Sequence, residues 1–573
     1  VESLPLAPSG SAGHFPVPNS PTRRSTMTRI ALVLGGGVSL GSYIGGAVTE
    51  ILEALSRNET GGPVRIHVIT GGSAGALNAG LAARALAVNP AIVPWIEKAW
   101  VEAADARQLL NPGRTNRLGA LDATVLDDLS RALITADPAS DDAVSASLGT
   151  PLRVGITLSS LHGVRYDFRY GFLNVPDRAY GTRTYSDSME FELPAGIGPK
   201  HESWERLRSA AVASASFPFA FPPRQLERAR ADYPGARLAD GEDPLRMWYV
   251  DGGLFDAAPL GLAKDLVERD VDYRSQDWRF IVVEPSLRST GTEHGPPSGT
   301  PDSVSSLAQH LAGAVLGQGA AQDWIRANEL NARLEILEAL LKRLPEMDDR
   351  ITDPEELMLG RYIGELAERV AEMNVTADPT GRLAHGPDPA GDFLDRNMDR
   401  IEADPRYAEV LASADARAGR SRLAKLIFVL EAASGLRDKD IMRLYLVAPE
   451  SDRELAGDYL GGFGGFLHRD WRAHDFAAGR RDARRMVESS LSDVIRYRPA
   501  DPSVYEVAEI APSWNGVPAE SRRRVEAAVA AEADRLIAEF EPGAVASALG
   551  WAWKPVVRRW ITARGMRAIS EAS

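Results

Sequence analysis

Ser73 stands between two glycines at the junction of a strand-like run and a helix-like run. The stretch Val64-Arg65-Ile66-His67-Val68-Ile69 reads as a strand, and Thr70-Gly71-Gly72-Ser73-Ala74-Gly75 follows it directly, giving Gly-x-Ser-x-Gly at 71–75. From Ala74 to Leu86 the residues are mostly small and read as a helix. A strand that turns sharply into a helix at such a serine is a nucleophile elbow, in which the strained turn pushes the hydroxyl off the sheet edge. Gly71 and Gly75 let neighbouring backbone approach where a Cβ would collide. The helix starting there aims free N–H groups and its positive dipole end at any negative charge formed nearby. The pentapeptide also occurs by chance in loops. Its position between strand and helix is what demands an α/β unit.

An earlier segment has the same design. Arg29-Ile30-Ala31-Leu32-Val33-Leu34 is a short apolar strand, the turn Gly35-Gly36-Gly37-Val38-Ser39-Leu40-Gly41 follows, and then Tyr43, Ile44, Ala47, Val48, Ile51, Leu52 and Leu55 share one face of a helix. Further strand candidates are Leu152–Leu158, Val164–Phe168, Met247–Val250, Arg279–Val283 and Arg443–Val447. Strands alternating with helices predict an α/β fold with a mostly parallel sheet covered on both faces. Residues 301–440 show little strand character and long helical periodicity, as in Asn331–Leu344 and Glu355–Met373, with a loop rich in Pro, Gly and Asp at Asp378–Asp392. They read as a helical insertion. The expected organisation is a disordered leader at 1–26, a catalytic core at 27–300, that insertion, a return to the core at 441–500, and a helical C-terminal region at 501–573.

Two further features bear on chemistry. The glycine turn at 35–41 can cradle an anion through backbone N–H groups. It is neither a dinucleotide fingerprint, because position 40 is Leu, nor a P-loop, because no Gly-Lys-Ser/Thr follows. Beside a nucleophile it reads as an oxyanion hole formed by Gly35, Gly36 and Gly37, with the N–H groups of Gly36 and Gly37 as donors and that of Ala74 as a further one. Each such donor contributes roughly 3–4 kcal/mol to acyl transfer. The second feature is Trp248-Tyr249-Val250-Asp251-Gly252-Gly253, where Asp251 ends an apolar strand. In a parallel sheet the strand C-termini gather on one edge, which would let Asp251 meet Ser73 as a general base. Asp-Gly is equally ordinary turn chemistry. Histidine is the usual base for serine, and His294, His310, His385, His468 and His474 follow Asp251. None lies in a clear strand-end loop with flanking glycines; His468 and His474 come nearest. His67, on the strand into the elbow, reads as a hydrogen-bonded core residue.

Taken together these segments resemble the patatin-like phospholipase family. The carriers are Gly35-Gly36-Gly37, the elbow 71–75, Asp251-Gly252-Gly253, and Ser214-Ala215-Ser216-Phe217-Pro218-Phe219-Ala220-Phe221-Pro222-Pro223, which is similar to the family's segment before its aspartate. The resemblance covers roughly residues 28–290. It implies a three-layer α/β/α fold, a Ser73–Asp251 dyad without histidine, no cofactor and no metal, and a lipid or fatty-acyl ester substrate. Gly464-Gly465-Phe466 through Trp471, Asp475, Gly479-Arg480 and Asp482 are similar to a long bacterial patatin-related subgroup. The chain departs from the family in two places: Ser39 and Leu40 stand where a basic residue and then glycine are usual, and Ala257 stands where Asn is usual.

Composition narrows the partners. The 573 residues include no cysteine, which excludes disulfides and thiolate metal sites. A net charge of -14 and a pI near 5.3 disfavour nucleic acid. No run matches a membrane-spanning helix, so the expectation is a cytoplasmic chain. The segment Leu549–Ile561, with Trp551, Trp553 and Trp560 among Lys and Arg residues and Arg564 and Arg567 beyond, reads in two ways. It is either a peripheral membrane contact over 549–567 or a helix packing its tryptophans on the body. The runs Arg480-Arg481 and Arg484-Arg485 read as a solvated helix face. Three functional readings remain: an acyl hydrolase, with transfer to an alcohol as its variant; a catalytically weak scaffold on the same fold; and a nucleotide-binding protein using the glycine turn.

Overall fold

The computed structural model describes residues 27–287, less 112–117, 136–144, 171–177, 239–240, 242, 271–272 and 274–275, then 442–449 and 455–539, less 500 and 508–509; elsewhere only the short runs 329–334 and 426–429 and a few scattered positions are described. The leader at 1–26, nearly all of the helical insertion at 301–440, His294, His310 and His385, and the segment 549–567 except positions 562 and 566 lie outside the described residues.

Among the described residues eight strands form one sheet: β1 (Thr28–Leu34), β2 (Val64–Gly71), β3 (Leu148–Tyr170), β4 (Arg178–Leu193), β5 (Arg224–Arg228), β6 (Leu245–Val250), β7 (Asp277–Val283) and β8 (Leu444–Val447). Their order is β5-β6-β3-β2-β1-β7-β8, with β4 paired to β3. The five strands from β3 to β8 run parallel, and β4, β5 and β6 add antiparallel pairs. The fold is α/β with a mostly parallel sheet, as the strand–helix alternation predicts.

Strand β1 shows why there are three layers. Its apolar run has no polar face to give to water, so both faces must be covered. Ile30, Leu32 and Leu34 pack into one core with α1 (Gly41–Ser56), α2 (Ala74–Ala87) and α6 (Glu202–Ser214). Ala31 and Val33 pack into another with α7 (Leu260–Val267). Short helices α3 (Val93–Glu97), α4 (Ala106–Leu109) and α5 (Thr124–Ser130) lie between α2 and β3 in sequence. Late in the chain come α8 (Arg469–Ser490) and α9 (Ala519–Glu539).

Helix α8 docks on α1 through glycines. A Cβ on Gly46 would stand 2.0 Å from the Phe476 carbonyl oxygen, and one on Gly479 2.0 Å from that of Tyr43. Arg480 is buried in this contact and pairs with Glu50 and Glu53. That corrects the expectation of a solvated arginine face: at Arg480 the charge is neutralised between the two helices.

Two strand expectations also change. Leu152–Leu158 and Val164–Phe168 are parts of a single strand β3, broken in register between Ser159 and Val164. Strand β6 is antiparallel to β3, so Asp251 is not delivered by a parallel strand.

Candidate active site

Strand β2 ends at Gly71 and α2 begins at Ala74, which leaves Gly72 and Ser73 to make the turn. Ser73 has φ 54 and ψ -125, a conformation that costs a side-chain-bearing residue about 1–3 kcal/mol. Its surroundings enforce it. The Ser73 N–H donates to Ser214 Oγ at 2.9 Å, and the Gly75 N–H donates to the Gly72 carbonyl at 2.8 Å. The turn is pressed backbone to backbone. A Cβ on Gly75 would lie 2.2 Å from the Leu34 oxygen and 2.3 Å from that of Gly35, and one on Gly71 2.5 Å from the Gly75 oxygen.

Asp251 reaches this edge by an indirect route. Strand β3 stays beside β2 until Ile156 pairs with Gly71, then runs on past the sheet edge. Strand β6 joins it there, at Ser159 and Ser160, and comes back antiparallel so that Asp251, the residue after its end, meets the elbow. Three contacts fix the Asp251 backbone and one carboxylate oxygen. Its N–H donates to the Ser216 carbonyl at 3.0 Å, its carbonyl accepts from Ser159 Oγ at 2.7 Å, and its Oδ1 accepts the Gly253 N–H at 2.7 Å. The free oxygen, Oδ2, accepts from Ser73 Oγ at 2.7 Å. Asp251 is 2% exposed and Ser73 5%. Burial pushes the Asp251 carboxyl up to about 7, against the opposing pull of the Ser73 and Gly253 hydrogen bonds.

The glycine turn lies alongside. A Cβ on Gly36 would be 3.3 Å from that of Ser73. Gly37 at φ 153 and Val38 at φ 54 fold the chain back toward α1. Gly35 belongs to the turn without being one of its expected donors: its N–H is bonded to the Val283 carbonyl of β7 at 2.8 Å, so it extends the sheet. The N–H groups of Gly36, Gly37 and Ala74 donate to no group among the described residues.

The two described histidines that follow Asp251 are elsewhere. His474 is buried and its Nδ1 faces Asp475 at 3.0 Å, while His468 caps α8 through the Asp470 N–H. His67 is buried against Trp278, and its Nε2 has no hydrogen-bond partner among the described residues. It is a core residue without the expected bond, and burial lowers its pKa to about 4.

An apolar cavity opens over Ser73 and Asp251. Val38, Leu77, Trp100, Val125, Leu126, Phe217, Phe221 and Phe466 are among its walls. A second cavity shares Leu77, Trp100, Ala104, Leu126 and Leu129 and extends to Leu133 and Ile134. An ionised Asp251 can take the Ser73 proton along the existing hydrogen bond, and an apolar chain can lie along the cavity. Sequence reasoning missed Ser159, Ser214 and the cavity walls. Ser214 and Ser216 lie in the serine- and proline-rich stretch that the resemblance singles out. Nothing local marks Ser159 or Trp100.

Residues 32–264 match a family model described as patatin-like phospholipase. Residues 445–500 match one described as protein of unknown function (DUF3376). An uncharacterized membrane protein of Mycobacterium tuberculosis is 24% identical over 384 residues, which is 58% of this chain and 33% of that protein. The chain therefore spans about a third of the length of the curated relative it matches. Among the described residues no helix is long and apolar enough to cross a membrane.

Proposed function

We propose, with residues 32–264 as a patatin-like phospholipase domain of the lipid acyl hydrolase type, that the chain hydrolyses fatty-acyl esters through Ser73 and Asp251. The observation that carries this reading is the 2.7 Å hydrogen bond from Ser73 Oγ to a buried Asp251 at the floor of an apolar cavity.

Ser73 Oγ attacks the ester carbonyl carbon while Asp251 Oδ2 accepts its proton. The carbonyl oxygen becomes an oxyanion held by the N–H groups of Gly36 and Gly37, with Ala74 at the helix start as a third donor. The protonated Asp251 then gives its proton to the leaving alcohol, and the acyl group remains on Ser73. Water enters, Asp251 takes its proton, and the hydroxide adds to the acyl carbon. Collapse of that adduct releases the fatty acid and returns the proton to Ser73. The Gly253 N–H on Oδ1 keeps Oδ2 aimed at the nucleophile throughout. A carboxyl with pKa near 7 suits both roles, since its two protonation states are closely balanced at neutral pH. The acyl chain lies along the cavity between α2 and α5, toward Ile134.

Hydrolysis of p-nitrophenyl acyl esters by the wild type and by Ser73→Ala tests the proposal. The expected result is a loss of at least about 10³-fold in kcat. A Ser73→Ala protein as fast as wild type would sink it.

A further inference from the structure

Ser39 stands in the glycine turn where the family resemblance leads one to expect a basic residue, and it is fully buried. Its partners come from the far end of the chain. Ser39 Oγ donates to the Gly462 carbonyl at 2.5 Å and accepts the Gly465 N–H at 3.1 Å, and the Ser39 N–H donates to the same Gly462 carbonyl at 3.0 Å. A Cβ on Gly462 would lie 3.4 Å from the Gly37 oxygen, so this loop rests directly on the turn.

Helix α8 holds the loop at both ends. Asp475, fully buried, accepts the Ala456 N–H on Oδ1 and the Gly457 N–H on Oδ2, each at 2.8 Å. Arg472 donates to the Gly465 and Phe466 carbonyls at 2.9 and 3.1 Å. The same helix is locked by its glycine contacts onto α1, which starts where the turn ends.

We propose that residues 455–490, within the part that matches a family of unknown function, are the positioning element of the glycine turn, with Ser39 as the positioning residue through which they act. The proposal rests on the reading of Ser73 as nucleophile. Oxyanion donors work only when fixed before the reaction, and a misplacement of about 1 Å costs roughly 100-fold in rate. Three consecutive glycines followed by Val38 at φ 54 do not fix themselves. A buried hydroxyl that both donates and accepts across the contact fixes them without a charge.

The test compares wild type with Ser39→Ala, Asp475→Asn and Gly465→Ala. In the last, the added Cβ would stand 2.7 Å from Ser39 Oγ and displace it without deleting a donor. Two readouts are taken: kcat and KM on p-nitrophenyl butyrate, and hydrogen–deuterium exchange of the peptide covering residues 35–43. The expected result is a fall in kcat of about 10- to 100-fold with KM changed by less than about 3-fold, and faster exchange at the Ser39 and Leu40 amides. A merely structural role would lower the melting temperature and leave kcat per folded molecule unchanged, which overturns the proposal. A wild type inert toward esters refutes the reading of Ser73 instead. Exchange then still decides the clamp, and a turn whose exchange is untouched by Asp475→Asn overturns it.

Discussion

Replacing Asp251 with asparagine separates what the carboxylate does for the chemistry from what it does to the fold. Asn retains the shape and an oxygen for the Gly253 N–H but has no proton to exchange. Burial lifts the carboxyl from 3.8 to about 7. At about 1.4 kcal/mol per pH unit, holding the ionised form destabilises the folded chain by about 4 kcal/mol. The sign follows from proton counting. Between about pH 4 and 7 the folded chain keeps a proton that the unfolded chain has released, so this group's contribution to stability falls as pH rises through that window and is level above it. Asp251→Asn should therefore match wild type near pH 4 and exceed it by up to about 4 kcal/mol above pH 7, while kcat falls by about 10²- to 10⁴-fold. Urea unfolding followed by tryptophan fluorescence, run on both proteins from acid to mildly alkaline pH, measures the gap. A variant less stable than wild type at pH 8, or a gap that does not change with pH, would refute the picture of a buried, titrating base.

Three further outcomes follow from the same geometry. The kcat/KM of the wild type should rise with pH, reach half its maximum near pH 7 and stay flat above, because only the ionised Asp251 accepts the serine proton; a midpoint near 4 in the pH–rate profile contradicts this. Gly75→Ala should destabilise by at least about 1–3 kcal/mol, since its Cβ meets two backbone oxygens that cannot move independently; wild-type stability in denaturant titration would show that the elbow is not pressed against β1. Leu126→Trp, in the wall shared by both cavities, should reduce turnover of the palmitoyl ester relative to the butyryl ester by about 10-fold or more. An unchanged ratio across the ester series would mean that the chain does not run toward Ile134.

The parts of this molecule that were legible in the sequence are those whose chemistry is local. Gly71, Ser73 and Gly75 announce an elbow because they stand between a strand-like and a helix-like run, and the apolar run of β1 announces a strand buried on both faces. Asp251 was legible as a residue type at a strand end, but its route was not. It arrives on an antiparallel strand because β3 overruns the sheet, and the length of β3 is hidden by the register break between Ser159 and Val164. Strands β4 and β5 carry mostly polar side chains, as in Arg178–Leu193, and so lack the apolar run that marks the central strands. Sequence places Gly35 in the turn but does not say that its N–H is consumed by Val283 on the neighbouring strand. Ser39 reads from sequence only as a departure from the family's turn for a related reason: Gly462, Gly465 and Asp475, which account for it, lie more than four hundred residues away in the chain.

The central claim is that Ser73 is the nucleophile, and a fluorophosphonate probe reads it directly. The wild-type protein is treated with the probe, digested, and the adduct mapped by mass spectrometry. The account predicts a covalent adduct on the peptide carrying Ser73, absent from Ser73→Ala and formed more slowly by Asp251→Asn. No adduct on Ser73, or an adduct on a different serine in a Ser73→Ala protein that still hydrolyses esters, would contradict it.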